Sequence, residues 1–397
     1  MTLPDVDFGT DPLPDLHDIL SRLRERYRVA HVRYDGGTAA LILRHGDLAA
    51  AFKNDAAFPA EQAYQRFAMP AQGRTMQCMP AAEHRGHREL VAPWFSPASV
   101  AELAPDLLEP LATRLVERFA KRGEADLVAE LARPFPFAVI VRLLGLPAAD
   151  GATLARWAAG LLSHRLDAAR AVAARDAFTH YLAPVLAERR AHPGTHPAND
   201  WLSRLVAAEI DGEPLDDESI YSFVRLLFPA GSDTTFLALG NLLHAVVAHP
   251  ELHDRLRGDP EARRRAVDES LRLDPAVALQ PRIAGPGARV GDSEIAEGEW
   301  VLFGIASANR DPEVFDAPDE FQLDRVRDRA RGSGSALAFG AGTHFCLGSH
   351  LAHAELEVAL DVVLRLLPGL RLAPDAEVTA RGAIFRGPRK LPVRFDA

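Results

Sequence analysis

The chain has 397 residues, 48% of them hydrophobic, which is enough apolar material for one large domain or for about two or three average ones. Its formal net charge of −10 argues against nucleic acid as the main partner. Its two cysteines, Cys78 and Cys346, exclude a disulfide-rich scaffold and any four-cysteine zinc or iron–sulfur site.

The N-terminal residues show no basic stretch followed by an apolar run, so we predict no signal peptide and no membrane anchor. The longest apolar run, residues 236–248, contains Asn241 and His244 and is too short to span a bilayer. We therefore expect a cytoplasmic, monomeric protein that does not bind a membrane.

Helical spacing of Leu, Val, Ala and Phe dominates the chain. The predicted helices cover residues 16–27, 97–122, 134–144, 149–162, 168–191, 200–208, 217–249, 260–273 and 349–367, with a short helix around 311–315. The few strand-like segments are short and cover residues 39–43, 290–295, 300–304 and 391–395. This pattern predicts a mainly α fold with small β-sheets (α+β), as a single domain over residues 1–397.

The predicted helix 217–249 carries a distinctive segment in its middle. Pro229 lacks an N–H and its ring clashes with the preceding turn, so we expect the helix to kink there. Asp233 and Thr234 follow, inside an otherwise apolar helix. Taken alone, this pattern is equally typical of a buried acid that caps a broken helix, with Thr234 bonded back to a carbonyl.

Residues 339–348, with the sequence Phe-Gly-Ala-Gly-Thr-His-Phe-Cys-Leu-Gly, put one thiol in a glycine-rich bend just before a helix. A cysteine thiolate is one of the few axial ligands that push electron density from haem iron toward O–O cleavage. A lone cysteine is more often a small buried hydrophobic residue. A phosphate-binding loop does not fit, because no Lys-Ser/Thr pair follows the glycines.

Every specified position of this decamer matches Phe-Gly-x-Gly-x-His-x-Cys-x-Gly, so the chain resembles the cytochrome P-450 family in its haem-binding loop. The resemblance implies haem b (iron protoporphyrin IX), with Cys346 as the iron ligand and Phe339, Gly340, His344 and Gly348 around the cofactor. It also implies the cytochrome P-450 fold, with haem between a long kinked distal helix and a C-terminal proximal helix.

The segment from Ala230 to Thr235, Ala-Gly-Ser-Asp-Thr-Thr, resembles the family's Ala/Gly-Gly-x-Asp/Glu-Thr-Thr segment over the distal face of the haem. The resemblance implies that Ala230 borders the cofactor. It also implies that the Thr234 hydroxyl hydrogen-bonds iron-bound dioxygen and that Asp233 relays the protons its activation needs.

Glu269 and Arg272 stand at i, i+3, a spacing that the chain repeats elsewhere and that means little alone. The later segment Phe-Gln-Leu-Asp-Arg, which ends at Arg325, completes an order that resembles the family's Glu-x-x-Arg helix and Pro-Phe-Arg region. This implies a structural Glu269–Arg272–Arg325 network beneath the cysteine loop.

Haem carries two propionates, which arginine can meet bidentately. The resemblance assigns His84, Arg88, Arg282 and His344 to them, although each alone would be read as a solvated surface charge. His353 stands where many bacterial members of the family have arginine, which puts the preference for a redox partner in doubt.

The resemblance implies a monooxygenase that inserts one atom of O2 into a hydrophobic small-to-medium organic molecule. Ferredoxin and an NAD(P)H-dependent ferredoxin reductase would deliver two electrons, with Arg85, His87 and Arg88 as part of a docking face. Family analogy places the pocket walls at Leu227, Phe228, Val277, Leu279, Ile384 and Phe385. The alternatives are a hydrogen-peroxide-driven peroxygenase, whose relatives usually have Arg-Pro instead of Asp233-Thr234, and a non-catalytic haem sensor or carrier.

Overall fold

The computed structural model describes residues 6–164, 167–195, 200–325 and 336–397. Contacts divide the chain into two compact units. The first unit comprises Met1–Pro59, Ala104–Ala132 and Thr234–Ala397, and the second comprises Ala60–Leu103 and Arg133–Asp233. The boundary between Asp233 and Thr234 falls inside one continuous helix, Asp217–Ala248, which is called the long helix below.

Helices make up most of the described structure. The α-helices are Leu16–Arg26, His45–Ala51, Ala60–Phe67, Met69–Gln72, Ala81–Val91, Pro97–Leu103, Glu109–Glu117, Pro134–Leu143, Gly151–Leu161, Ala168–Ala191, Trp201–Val206, Asp217–Ala248, His253–Gly258, Pro260–Leu273, Ile305–Ala308 and Ser349–Leu366. Among the described residues, none of these helices combines the length and the apolar character needed to cross a bilayer. The predominance of helix confirms the predicted mainly α class.

Two helices have the bounds that the sequence predicts, because local caps set their starts. The Asp167 carboxylate accepts a hydrogen bond from the Arg170 N–H at the start of Ala168–Ala191. Asp259 accepts one from the Glu261 N–H, 2.9 Å away, and Pro260 occupies the first position of the next helix. Both arrangements stabilise a first turn whose N–H groups otherwise lack partners.

A four-stranded sheet forms the centre of the first unit. Its strands lie in the order Val29–Tyr34, Gly37–Ile42, Trp300–Phe303 and Gln280–Ile283, and only the middle pairing is parallel. A smaller sheet joins Arg371–Leu372, Pro392–Arg394 and Glu124–Asp126. Two-stranded pairs join Arg289–Val290 with Ser293–Glu294 and Ala380–Arg381 with Gly387–Pro388, and in the second unit Glu209–Ile210 with Glu213–Pro214.

The four-stranded sheet is buried on both faces at the end of its second strand, Gly37–Ile42. Ala39 and Leu41 belong to one apolar cluster, while Ala40 and Ile42, which point to the opposite face, belong to another. The helix Leu16–Arg26 packs in the first cluster through Leu16, Ile19, Leu20 and Leu23, at the spacing of one helical face. The strand Gly37–Ile42 is thereby held rigidly in the interior.

An aromatic cluster packs inside the second unit. The ring of Phe228 lies 5.4 Å from Phe137 and 5.2 Å from Phe178, between centroids. Phe178 also contacts Trp157, whose ring centroid is 5.4 Å away. The helices Pro134–Leu143, Gly151–Leu161, Ala168–Ala191 and the N-terminal half of the long helix supply these rings.

Three predicted elements are wrong in detail. The predicted helix 97–122 is divided into Pro97–Leu103, a π-helical turn at Ala104–Leu108, and Glu109–Glu117. The predicted strand 290–295 is a hairpin, because the chain reverses at Gly291 (φ 56°). Residues 312–314 form a turn instead of the predicted short helix, and the helix there lies earlier, at Ile305–Ala308.

The long helix, in which the sequence predicts a kink at Pro229, is continuous through this residue. The Ser232 hydroxyl donates to the Phe228 carbonyl at 2.6 Å, so a side chain supplies an additional donor in the turn that contains the proline. The carbonyl that Pro229 deprives of its usual donor is that of Arg225, one turn earlier.

Candidate haem site

The cysteine loop, residues 339–348, closes on itself just before the C-terminal helix, Ser349–Leu366. The Cys346 N–H donates to the Phe339 carbonyl at 3.0 Å, and the Phe345 N–H donates to the Gly342 carbonyl at 3.1 Å. Neither cysteine of the chain is in a disulfide, and Cys346 is exposed whereas Cys78 is buried. The loop therefore places an exposed cysteine next to the N-terminus of an 18-residue helix.

Phe52, a residue that the sequence analysis did not identify, packs against the glycines of this loop. A Cβ built on Gly340 would lie 3.2 Å from the Phe52 ring, and one on Gly342 (φ +73°) would lie only 2.4 Å from the Phe52 carbonyl oxygen. Only glycine allows both this close approach and the left-handed backbone at residue 342. The Phe52 ring then packs edge-on against Phe303, 4.8 Å away between centroids.

The structure brings Glu269, Arg272 and Arg325 together. Arg272 donates to both Glu269 oxygens at 2.9 and 2.8 Å, and Arg325 Nε lies 2.9 and 3.0 Å from the same two oxygens. Arg272 Nη1 also donates to the carbonyl of Asn309. The amide oxygen of Asn309 in turn accepts from the Leu337 N–H at 2.7 Å, two residues before the loop. The network is thus linked to the start of the cysteine loop.

His353, on the C-terminal helix, also contacts the loop. Its ring lies 5.1 Å from the Phe339 ring. Its two nitrogens face only acceptors, Nδ1 the Ser349 carbonyl at 2.8 Å and Nε2 the Asp268 carboxylate at 3.1 Å. Burial lowers the pKa of His353, but these two hydrogen bonds outweigh it and hold the pKa above its ordinary value. His353 is therefore more basic than an ordinary histidine.

The residues assigned to the propionates lie in both units. In the first unit, Arg282 is buried in the central sheet, with its guanidinium 5.3 Å from the Phe303 ring centroid. His344 ends the short helical turn Gly342–His344 of the cysteine loop. In the second unit, His84 is buried and Arg88 half-buried, one turn apart on the helix Ala81–Val91.

The structure places Asp233 and Thr234 at the middle of the long helix, both half-buried. Burial raises the pKa of Asp233 to about 6, against the opposing effect of Arg133. An acid with this pKa exchanges protons readily near neutral pH. Ala230, one turn earlier, is exposed although its neighbour Pro229 is buried, so this face of the helix is open.

Two of the six predicted pocket walls are core residues. Phe228 is 0% exposed within the aromatic cluster of the second unit, and Leu279 is 0% exposed in an apolar cluster of the first unit. Both side chains are thus packed in the apolar interior of their units. The other four keep exposed area: Leu227 a little, Val277 and Ile384 more, and Phe385 as much as 44%.

Comparison with known proteins agrees with this geometry. The model of the Cytochrome P450 family matches residues 162–262 and 263–367. The erythromycin C-12 hydroxylase of Saccharopolyspora erythraea is 34% identical, over 95% of this chain and 94% of its own length. The nocardicin C N-oxygenase of Nocardia uniformis subsp. tsuyamanensis is 35% identical, over 98% of each chain. Cytochrome P450 CYP109Q5 from Chondromyces apiculatus is 28% identical with a TM-score of 0.87, over 100% of this chain and 99% of that one.

The chain belongs to the cytochrome P450 family. Together with relatives named as a hydroxylase and an N-oxygenase, this membership makes it a cytochrome P450 monooxygenase with a haem-thiolate cofactor. The residues present fit such a cofactor, since an exposed cysteine lies in a loop whose glycines allow close packing against Phe52.

Proposed function

We propose that this chain binds haem b through Cys346 and oxidises a hydrophobic small-to-medium organic molecule with O2. Ferredoxin, reduced by an NAD(P)H-dependent ferredoxin reductase, delivers two electrons. The observation that carries this proposal is the cysteine loop, which exposes one thiol at the N-terminus of the C-terminal helix. We treat residues 1–397 as one domain and the protein as a cytoplasmic monomer.

The chain's basic residues and its shaped loop hold the cofactor. Cys346 ligates the iron, with Phe339, Gly340 and Gly348 shaping the loop and Ala230 facing the cofactor from the long helix. Arg282, His84, Arg88 and His344 pair with the propionates, and arginine suits this role because its planar fork meets a carboxylate bidentately. The network of Glu269, Arg272 and Arg325 holds the backbone from which the loop starts.

The bound haem supplies the reduction of O2, with transfer of one oxygen atom to the substrate and release of the other as water. Two protons must reach the site. Asp233, with its pKa of about 6, takes them up and passes them on. The Thr234 hydroxyl, at the next position of the helix, would donate a hydrogen bond to dioxygen. It would then regain its proton through Asp233.

The substrate is expected to be largely apolar. Val277, Ile384, Phe385 and Leu227 offer apolar surface that is not fully buried. The names of the relatives include a hydroxylase of erythromycin and an oxygenase of nocardicin C, which supports an organic molecule larger than a simple hydrocarbon. Apolar walls bind such molecules mainly by removing their surface from water.

The substitution Cys346→Ser tests the assignment of the iron ligand. We expect the reduced, CO-bound absorption spectrum of the variant to lose its thiolate character, because a serine oxygen donates less electron density than a thiolate. The matched control is Cys78→Ala, which removes the chain's other thiol and leaves the spectrum unchanged. A thiolate spectrum in the Cys346→Ser protein would show that the ligand lies elsewhere.

Turnover separates the proposal from its alternatives. The purified holoprotein is supplied with ferredoxin, reductase and NAD(P)H in one assay and with hydrogen peroxide alone in another, and oxidised product is quantified in each. Product in the first assay only is the expected result. Product with peroxide alone would indicate a peroxygenase, and product in neither assay, with haem bound, would indicate a sensor or carrier.

A further inference from the structure

One amide in the long helix contacts both chain segments that carry three of the proposed pocket walls. Asn241 Nδ2 donates to the Asp274 carbonyl at 2.8 Å and to the Arg386 carbonyl at 3.2 Å. Asp274 lies two residues before Ala276, and Arg386 directly follows Phe385. Asn241 is only 5% exposed, and its hydrogen bond to Arg386 is buried whereas the one to Asp274 is partly buried.

The two wall segments also pair with each other. Val277 and Phe385 form an isolated antiparallel bridge. The Ala278 N–H donates to the Ile384 carbonyl at 3.0 Å, and the Arg386 N–H donates to the Ala276 carbonyl at 2.8 Å. These hydrogen bonds join Val277, Ile384 and Phe385 into one unit, which is called the paired wall below.

The chain just after the paired wall lies close against the long helix. A Cβ built on Gly387 would lie 2.8 Å from the Leu237 side chain and 3.3 Å from its Cα. This close approach allows the short Asn241 side chain to reach the Arg386 carbonyl. A longer gap would require a longer donor or a water molecule.

The side chain of Arg386, the residue after Phe385, bonds to the N-terminal segment. It is 3% exposed and donates to the carbonyls of Leu13 and Pro14 at 2.8 and 3.1 Å. His17 Nε2 lies 2.6 Å from the Asp274 carboxylate. These contacts hold the paired wall to the N-terminal segment, whereas Asn241 holds it to the long helix.

Asn241 also has a defined relation to Thr234. It lies seven residues further along the same helix, close to two full turns, so the two residues share one face. The helix fixes their separation along its axis at about 10 Å. The distance between Thr234 and the paired wall is therefore set through the helix and the Asn241 amide.

We propose that Asn241 is a positioning residue for the oxidation, which sets the place of the paired wall relative to the oxygen-activating residues and so determines which substrates fit. The proposal rests on the proposed function, since it takes the paired wall as part of the substrate pocket. A neutral amide suits the role because its two N–H groups can serve two carbonyls at once. Loss of both N–H groups leaves the carbonyl oxygens of Asp274 and Arg386 without this donor.

The test compares two ligands of haem iron that differ in wall contact. Imidazole is too small to press on the walls, whereas phenylimidazole adds an apolar ring that needs them. Both dissociation constants are measured by absorption titration of the holoprotein. In Asn241→Leu we expect the preference for phenylimidazole over imidazole to fall about tenfold, with imidazole affinity unchanged.

The matched control is His253→Leu. His253 lies just beyond the long helix and makes a buried hydrogen bond to the Val246 carbonyl at 2.9 Å, so its loss also removes a buried polar contact. We expect this variant to keep the wild-type preference. If Asn241→Leu does not accumulate as folded protein, Asn241→Ser, which keeps one hydroxyl donor, is read instead and should lower the preference by about threefold.

Hydrogen exchange provides a readout that does not depend on haem. The Ala278 and Arg386 amides should exchange faster in Asn241→Leu than in the wild type, and at the wild-type rate in His253→Leu. An unchanged preference, or an equal loss of affinity for both azoles, would overturn the proposal. If neither azole perturbs the wild-type spectrum, the proposed haem site fails, and exchange still reports whether Asn241 holds the two segments.

Discussion

Asp233 is an acid in an apolar helix, and burial raises its pKa from the ordinary 3.8 to about 6. Between these two values the folded protein holds a proton that the unfolded chain has released. The free energy of unfolding therefore falls as pH rises through this window and stays reduced above about pH 6. Burial thus has two effects: it makes the ionised Asp233 destabilising, and it brings the pKa close to neutral pH, where the carboxyl can accept and release protons.

The substitution Asp233→Asn should remove this pH dependence. Between about pH 4 and a pH above 6, we expect the unfolding free energy of the wild type to fall by about 2 to 3 kcal/mol relative to that of the variant, because the other titrating groups are common to both. Urea unfolding at both pH values measures the difference. The control is Asp254→Asn, whose carboxylate is 97% exposed. Equal pH slopes in wild type and Asp233→Asn would contradict the assigned pKa.

At the scale of elements, the cysteine loop depends on a contact with Phe52, a residue that lies far from the loop in the sequence. Gly342 combines a left-handed backbone with a space too small for a Cβ. Gly287 has a similar backbone (φ +67°) but no atom within 4 Å of the added carbon. Replacing each of the two glycines with alanine therefore separates the free-energy cost of the strained backbone from the cost of the steric clash.

We expect Gly342→Ala to lower the free energy of unfolding by at least about 2 kcal/mol and to reduce the haem content of the purified protein. Gly287→Ala should cost about 1 kcal/mol, because only the backbone conformation is strained. Thermal unfolding and the haem-to-protein ratio measure the two effects. Equal costs for the two variants would show that the Phe52 contact does not constrain the loop.

At the scale of the whole molecule, a net charge of −10 would repel an acidic ferredoxin unless docking occurs at a local basic surface. Arg85 is exposed on the helix Ala81–Val91, and Arg88 of the same helix is half-buried. Opposite charges of this kind mainly accelerate association and steer orientation.

The substitution Arg85→Glu should weaken ferredoxin-driven reduction. We expect the second-order rate constant to fall several-fold at low salt, by about 3 to 10 times, and the difference to shrink as ionic strength rises. Arg381→Glu makes the same change in net charge at another exposed position and serves as the control. Stopped-flow reduction measures both. An equal loss in both variants would indicate net charge alone, without a docking face at Arg85.

The features that could be predicted from the sequence depend on interactions between near neighbours. The bounds of Ala168–Ala191 and Pro260–Leu273 follow from apolar spacing and from caps that act within three residues. The cysteine loop and the Glu269–Arg272 pair are also local motifs, and their order along the chain was sufficient to indicate the family.

The remaining features depend on contacts between distant residues. Asn241 meets residues 33 and 145 positions away, and no pattern around it shows which carbonyls it reaches. The burial of Phe228 and Leu279, and the support of the cysteine loop by Phe52, likewise follow from packing between elements. A lone amide in the apolar run 236–248 was a visible signal that something polar must meet it, since buried polar groups need partners. Its partners, and hence its place beside the proposed pocket, were decided only when tertiary folding brought those distant carbonyls to the helix.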